Sequence, residues 1–313
     1  MAAMTHDAPV VNRLRTGLFL ALLSASSFGL SGALARGMMD AGWSPAAVVA
    51  VRVLVGGVAL LPIALRRLRG DWDLLRRKAG LIVAYGLIAV AGTQLAYFYA
   101  VAHLAVGAAL LIEYTAPIVV IGWLWARHGQ KPGRATVLGA ALGVVGLILV
   151  LDLRSGAGAS WVGAAWALAA MFGAAVYFVL SARSSDGLPG TVLATGGLLL
   201  GGVVLLLAGA AGIAPLHAGT GPAVFADFTA PWWWPLLALG VVTAALAYAS
   251  GIAGTRLLGS RLASFAALIE VVAAIVYAWV LLAQTPRPIQ FVGGALILVG
   301  VVIVRMGERP DAP

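Results

Sequence analysis

Apolar residues run along this chain in blocks of roughly 20, and the short stretches between them hold nearly all of the charge. A block of that length crosses about 30 Å of hydrocarbon at 1.5 Å per residue of helix. The pattern predicts membrane-spanning helices over residues 17–36, 44–65, 79–100, 104–125, 135–151, 160–181, 189–211, 233–254, 261–282 and 289–305. The expected fold class is therefore an all-α integral membrane protein of ten transmembrane helices.

Composition agrees. Hydrophobic residues make up 62% and charged ones 10% of the 313 positions, with a mean hydropathy of +1.02. A water-soluble globule, with about a quarter of its positions charged, is excluded. The net charge of +9 would suit nucleic acid, but the basic residues are confined to short loops and Arg outnumbers Lys by 18 to 2. They read better as a topology signal. With residue 1 in the cytoplasm, the inner segments hold Arg13, Arg15, Arg66, Arg67, Arg69, Arg76, Arg77, Lys78, Arg127, Lys131, Arg134, Arg183, Arg256, Arg261, Arg305 and Arg309, and the outer loops only Arg36, Arg154 and Arg287. Cationic loops stay on the cytoplasmic side, so both termini are expected there. Trp43, Trp161 and Trp232 to Trp234 then open helices at the outer interface, where amphipathic rings prefer to sit. Zero cysteines exclude disulfides and thiolate metal sites.

The chain repeats itself. A shift of 144 residues pairs Ala21 with Ala165, Ala25 with Ala169, Phe28-Gly29 with Phe172-Gly173, Pro45 with Pro189 and Gly57 with Gly201. A shift of 154 pairs Gly86 with Gly240, Trp125 with Trp279, Gln130 with Gln284, Pro132 with Pro286, Gly139 with Gly293 and Gly146 with Gly300. The ten-residue difference places an insertion in the Gly-, Pro- and Ala-rich loop 212–231 of the second half. Two repeats are expected, residues 1–152 and 160–305, followed by a cytoplasmic tail, 306–313. Five spans is an odd number, so the second repeat is inverted, a build common among secondary transporters. The repeat also argues against a different reading of the N-terminus, in which Arg13, Arg15 and Ala33-Leu34-Ala35 imitate a cleavable signal peptide: the first span has a partner deep in the chain.

Ala50-Val51-Arg52 in the second span, Ala100 before the fourth and Pro117 within it make the whole chain resemble the EamA-type members of the drug/metabolite transporter superfamily. Ile112-Glu113-Tyr114-Thr115-Ala116-Pro117 looks most like the corresponding segment of bacterial threonine and homoserine exporters. The resemblance implies ten spans in two inverted repeats and export of amino acids or related metabolites. It also implies a central cavity lined by the first, third, fourth, sixth, eighth and ninth spans. The chain departs from the pattern in two respects. Where many members have Glu-Pro in both the fourth and ninth spans, it has Ala116-Pro117 and Glu270-Val271, and Gln130 and Gln284 stand where an acidic residue often follows.

Only Arg52, Glu113 and Glu270 are charged well inside the spans. A charge at that depth costs from about 2.5 kcal/mol upward, so each should face protein or a wet cavity. Glu113 and Ala116 are three apart, as are Ala267 and Glu270, and the second shift equates Glu113 with Ala267 and Ala116 with Glu270. Both carboxylates thus lie on one helical face of symmetry-related helices. Pro117 lacks an N–H, so the Glu113 carbonyl loses its i+4 donor and is free to accept from a substrate ammonium, a side chain or water. Glu113, Glu270 and Pro117 are the leading candidates for binding substrate or proton. Gln94, Tyr97 and Tyr248 join them as hydrogen-bonding groups, with Tyr99 and Ser250 nearby. Arg52, at a depth similar to Glu113, is the candidate for a structural ion pair between the second and fourth spans. A snorkelling carboxylate is the bland reading of Glu270.

Gly29-Leu30-Ser31-Gly32 imitates the serine motif of intramembrane proteases, but His6, His103, His128 and His217 all lie in tails, loops or span ends. Without a base in reach no nucleophilic enzyme is expected. Phosphate-binding loops and His-rich metal sites are lacking, so no cofactor or metal is expected either. The expected partners are a small-molecule substrate, a proton as candidate coupling ion and the lipid bilayer, with no nucleic acid. The leading function is secondary export of a small metabolite, an amino acid or derivative, by alternating access. A multidrug or other permease on the same fold is the alternative. A non-transporting scaffold or lipid-handling subunit is a third reading, disfavoured by Glu113 and Glu270.

Overall fold

The computed structural model describes residues 8–116, 126, 133–151, 160–182, 187–254, 257–258 and 268–307. Helix α1 (Ala8–Asp40) is longer than the apolar block that predicts it, because Arg13 and Arg15 continue the same helix. Helix α2 (Pro45–Leu68) starts where Ser44 accepts a hydrogen bond from the Ala47 N–H and Pro45 occupies the first turn. Both features favour a helix start, since Pro fits where no intrahelical N–H bond is needed. It ends where Arg69 and Gly70 turn left-handed, followed by the six-residue α3 (Trp72–Arg77), capped by Asp71.

The third apolar block is one continuous run, α4 (Ala79–His103), whose Tyr85–Gly92 stretch is a π-helix. Helix α5 (Val106–Glu113) gives way to a turn at Tyr114 and Thr115. The fourth span, expected over 104–125, is thus described only as far as Ala116, and Pro117 lies outside the described residues. The remaining helices are α6 (Arg134–Leu151), α7 (Trp161–Ala182), α8 (Gly190–Ala210), α9 (Trp233–Gly254), α10 (Ile269–Leu282) and α11 (Pro288–Gly307). Within α9 a second π-helix covers Val241–Leu246. Shifted back by 154 it falls on 87–92, inside the first. Between α8 and α9 the chain forms a small hairpin, β1 (Ala223–Val224) with β2 (Thr229–Ala230), antiparallel with Ala223 opposite Ala230.

Five described helices are long and apolar enough to cross a membrane: α2, α4, α8, α9 and residues Arg13–Asp40 of α1. Four shorter apolar stretches, Arg134–Val150, Trp161–Val176, Ile269–Leu282 and Pro288–Val304, complete the bundle among the described residues. Phe19, Val58, Leu207 and Phe291 point outward, the reverse of a water-soluble surface but suited to lipid. Inside, small residues dominate. Without a hydrophobic drive in lipid, helices gain by close van der Waals approach, which small residues permit.

Packing joins the two halves helix by helix. Helix α1 lies on α10, α2 on α8 and α9, α4 on α7 and α8, α5 on α7 and α10, and α6 on α11. The α6–α11 contact brings backbones together: a Cβ on Gly139 would sit 2.5 Å from the Gly300 carbonyl, and one on Gly146 2.5 Å from that of Gly293.

Candidate functional site

Arg52, on the buried face of α2, is 2% exposed. Its Nε donates to Thr243 Oγ1 at 3.0 Å and its Nη2 to the Thr243 carbonyl at 2.9 Å, while Nη1 donates to Gln94 Oε1. The Phe98 ring lies 5.5 Å from the guanidinium carbon. Charge-assisted bonds are roughly twice as strong as neutral ones, and with a cation–π contact they offset part of the cost of taking the cation out of water. Among the described residues no carboxylate lies within ion-pairing distance of Arg52. The ion pair that similar depth in the membrane allows is therefore not formed with Glu113. The guanidinium instead ties α2 to the π segment of α9 and to α4 just past its own π segment. Wide turns of this kind recur at functional sites.

The carboxylates lie where α5 and α10 meet. Glu270 Oε2 accepts a hydrogen bond from the Tyr114 hydroxyl at 2.8 Å, so Glu270 points at the neighbouring helix and does not snorkel away from it. Glu113, the last residue of α5, is half-buried. No hydrogen bond or ion pair reaches its carboxylate among the described residues. Glu113, Glu270 and Arg52 are nonetheless close enough to act on one another electrostatically, and Tyr97 and Tyr248 share that neighbourhood. Two carboxyl groups and one guanidinium thus share a neighbourhood, and of the three only Glu113 lacks a hydrogen bond or ion pair among the described residues.

Helix α1 forms the facing wall. A methyl on Gly29 would fall 2.8 Å from the Glu270 carbonyl, and one on Gly32 2.5 Å from the Tyr97 hydroxyl. Glycine at these positions lets α1 lie directly against both residues. Phe28 meets Tyr248 edge-on, with ring centres 5.0 Å apart, and Ser24 donates to the Ala247 carbonyl at 2.8 Å.

The structure thus brings Arg52, Gln94, Tyr97, Glu113, Tyr248 and Glu270 together. Two neighbouring candidates go elsewhere. Tyr99 stacks on Trp166 of α7 at 4.8 Å, and the Ser250 hydroxyl donates to the Leu246 carbonyl of its own helix. Gln284 Oε1 accepts from the Val106 N–H at 3.1 Å and so caps the first turn of α5. Sequence reasoning passed over Tyr114 and Thr243. Tyr114 stands beside Glu113 in the quoted segment and was open to notice. Thr243 shares its apolar span with Tyr248 and Ser250, and its repeat equivalent is Ala89, so symmetry offers no pointer to it.

Comparison with known proteins adds three findings. The model of the EamA-like transporter family matches twice, over residues 15–152 and 161–306. A Salmonella typhimurium (strain LT2) protein named "uncharacterized inner membrane transporter YicL" is 22% identical over 308 residues, covering 95% of this chain and 98% of the relative. A solved crystal structure of a protein superposes with a TM-score of 0.60 at 21% identity, over 91% of this chain and 95% of the other, which is a likeness of fold.

Proposed function

This chain belongs to the EamA-like transporter family, and from that premise we propose that it is a secondary transporter exporting a small amine-bearing metabolite, an amino acid or derivative, by alternating access. The observation that carries the reading is the Glu113 carboxylate, which has no hydrogen bond or ion pair among the described residues and lies near the Tyr114–Glu270 pair. A passive bundle gains nothing from holding a half-buried acid without a partner, whereas an arriving ammonium or proton would supply one. The likeness of Ile112–Pro117 to threonine and homoserine exporters supports an amino acid.

The architecture we propose has ten spans in two inverted repeats, with a midplane site between them. Reciprocal packing supports it. Gly139 meets Gly300 and Gly146 meets Gly293, while the repeat equates Gly139 with Gly293 and Gly146 with Gly300. A two-fold axis relates contacts in this way. Placement in the inner membrane follows the relative's name, and both termini in the cytoplasm follow the distribution of cations.

One observation favours a permease for organic cations instead. Arg52 is buried and engaged by Gln94 and Thr243, so it does not offer a substrate carboxylate an open counter-charge. Growth of expressing cells on toxic amino-acid analogues and on cationic drugs separates the two. Resistance to the analogues alone supports export of amino acids, and resistance to the drugs alone supports the permease. Glu113→Gln should reach the membrane at the parent level yet lose active export at least about tenfold, roughly one charged hydrogen bond's worth, with a flattened pH profile. Full export with an unaltered pH profile would remove Glu113 from the mechanism.

A further inference from the structure

We propose that the β1–β2 hairpin is a gate strap across one end of the transport path, with Phe225 as its plug; the proposal rests on reading the chain as a transporter. The root of the strap is fixed to the α1–α2 turn. Ser44 Oγ donates to the Pro215 carbonyl at 2.6 Å, the Ser44 N–H to the His217 carbonyl at 3.0 Å and the His217 N–H back to Ser44 Oγ at 3.0 Å, while Trp43 stacks on Trp232. The tip crosses to the other wall, where the Ala226 N–H donates to the Leu281 carbonyl of α10 at 2.8 Å. Between the two, Phe225 is buried against α1 at Gly37, where a Cβ would come within 2.5 Å of its ring. Only glycine leaves that seat open.

A two-residue pairing has little stability of its own, so this hairpin is ordered by what it docks on. It spans the seam between α1 and α10, the same two helices whose backbones meet at Gly29 and Glu270. Gly37 stands eight residues from Gly29 along α1, roughly 12 Å at 1.5 Å per residue. Against the strap lies a hollow of about 320 Å³, lined by Val224, Phe225 and Ala226 of the hairpin together with the Arg36–Asp40 pair, Leu282 and Gln284. Opening the seam at this end must break the Ala226–Leu281 bond or draw Phe225 off Gly37. The corresponding connection of the first half, residues 69–78, carries the six-residue α3 in place of a hairpin. The strap therefore biases the closing of one end only.

Because the chain has no cysteine, Phe28→Cys supplies a single reporter at the level of the site. Its labelling by a membrane-impermeant maleimide is measured in sealed vesicles from the hairpin side. Phe225→Ala, and separately replacement of residues 223–230 by a short Gly-Ser linker, should each speed labelling at least tenfold at an unchanged membrane level. Labelling at the parent rate in both variants would make the hairpin a passive clasp and overturn the proposal. No substrate is needed for the readout. A protein that labels as expected but exports nothing would sink the transport reading and leave the gate standing.

Discussion

Thr243→Val removes one hydroxyl and conserves shape. In the parent, Thr243 Oγ1 accepts from Arg52 Nε at 3.0 Å and donates to the Leu239 carbonyl at 2.8 Å. Valine deletes both bonds but leaves the backbone carbonyl that receives Nη2. A hydrogen bond to a charged group is worth about 1.5–3 kcal/mol and a neutral one about 0.5–1.5 kcal/mol. The first dominates, because a buried guanidinium N–H is left with nothing to bond. Thr243→Ser keeps both bonds and loses one methyl, costing about 1 kcal/mol. With roughly 2–4 °C of melting temperature per kcal/mol in a chain of this size class, valine should lower the apparent melting temperature by about 3–12 °C and serine by a few degrees at most. The assay is thermal challenge of detergent-purified protein followed by size-exclusion chromatography. Equal loss in both variants would show that the bonds to Arg52 do not hold α2 to α9, and the account of the arginine given above would fail.

Tyr114→Phe frees Glu270 from its 2.8 Å donor. It should shift the pH profile of export and reduce its rate about tenfold, as the loss of one charged hydrogen bond implies; an unchanged profile would make Tyr114 a packing residue. Gly146→Leu drives a side chain into the Gly293 backbone. It should cost at least the ~1–3 kcal/mol of an overpacked core and lower the amount of protein in the membrane, and normal levels would refute the tight α6–α11 crossing. A cytoplasmic reporter fused after Arg309 should be active, and a tag in loop 212–231 should be accessible from outside. An externally accessible C-terminus would reverse the orientation.

The parts of this molecule legible in its residues are those governed by spacing along one helix. Apolar blocks marked the helices because lipid demands a length. The 154-residue shift equated Gly139 with Gly293 and Gly146 with Gly300, the residues found packed crosswise. Glu113 and Glu270 were placed on one face by counting turns, and in the structure the Glu270 charge reaches Glu113. What depends on the relative rotation of separate helices stayed hidden. Arg52 and Glu113 have similar depths, yet depth says nothing of azimuth, and the guanidinium faces Thr243 and Gln94. The π segments lie in largely apolar sequence that α-helix would suit equally well. The hairpin was read as a Gly- and Pro-rich loop because strands of two residues carry no alternation to detect.

Those two π segments give the central helices slack in length. A π turn bonds i to i+5 and takes in more residues than an α turn, so the loss of one residue within Tyr85–Gly92 or Val241–Leu246 is absorbed by closing the wide turns to α-helix. Beyond such a deletion Gln94 would still face Arg52, and Tyr248 would still face Phe28. The same deletion in the α-helical turns around them, where each residue advances the chain by about 100°, would swing these pairs apart. The π segments should therefore tolerate the loss of a residue better than the turns that flank them.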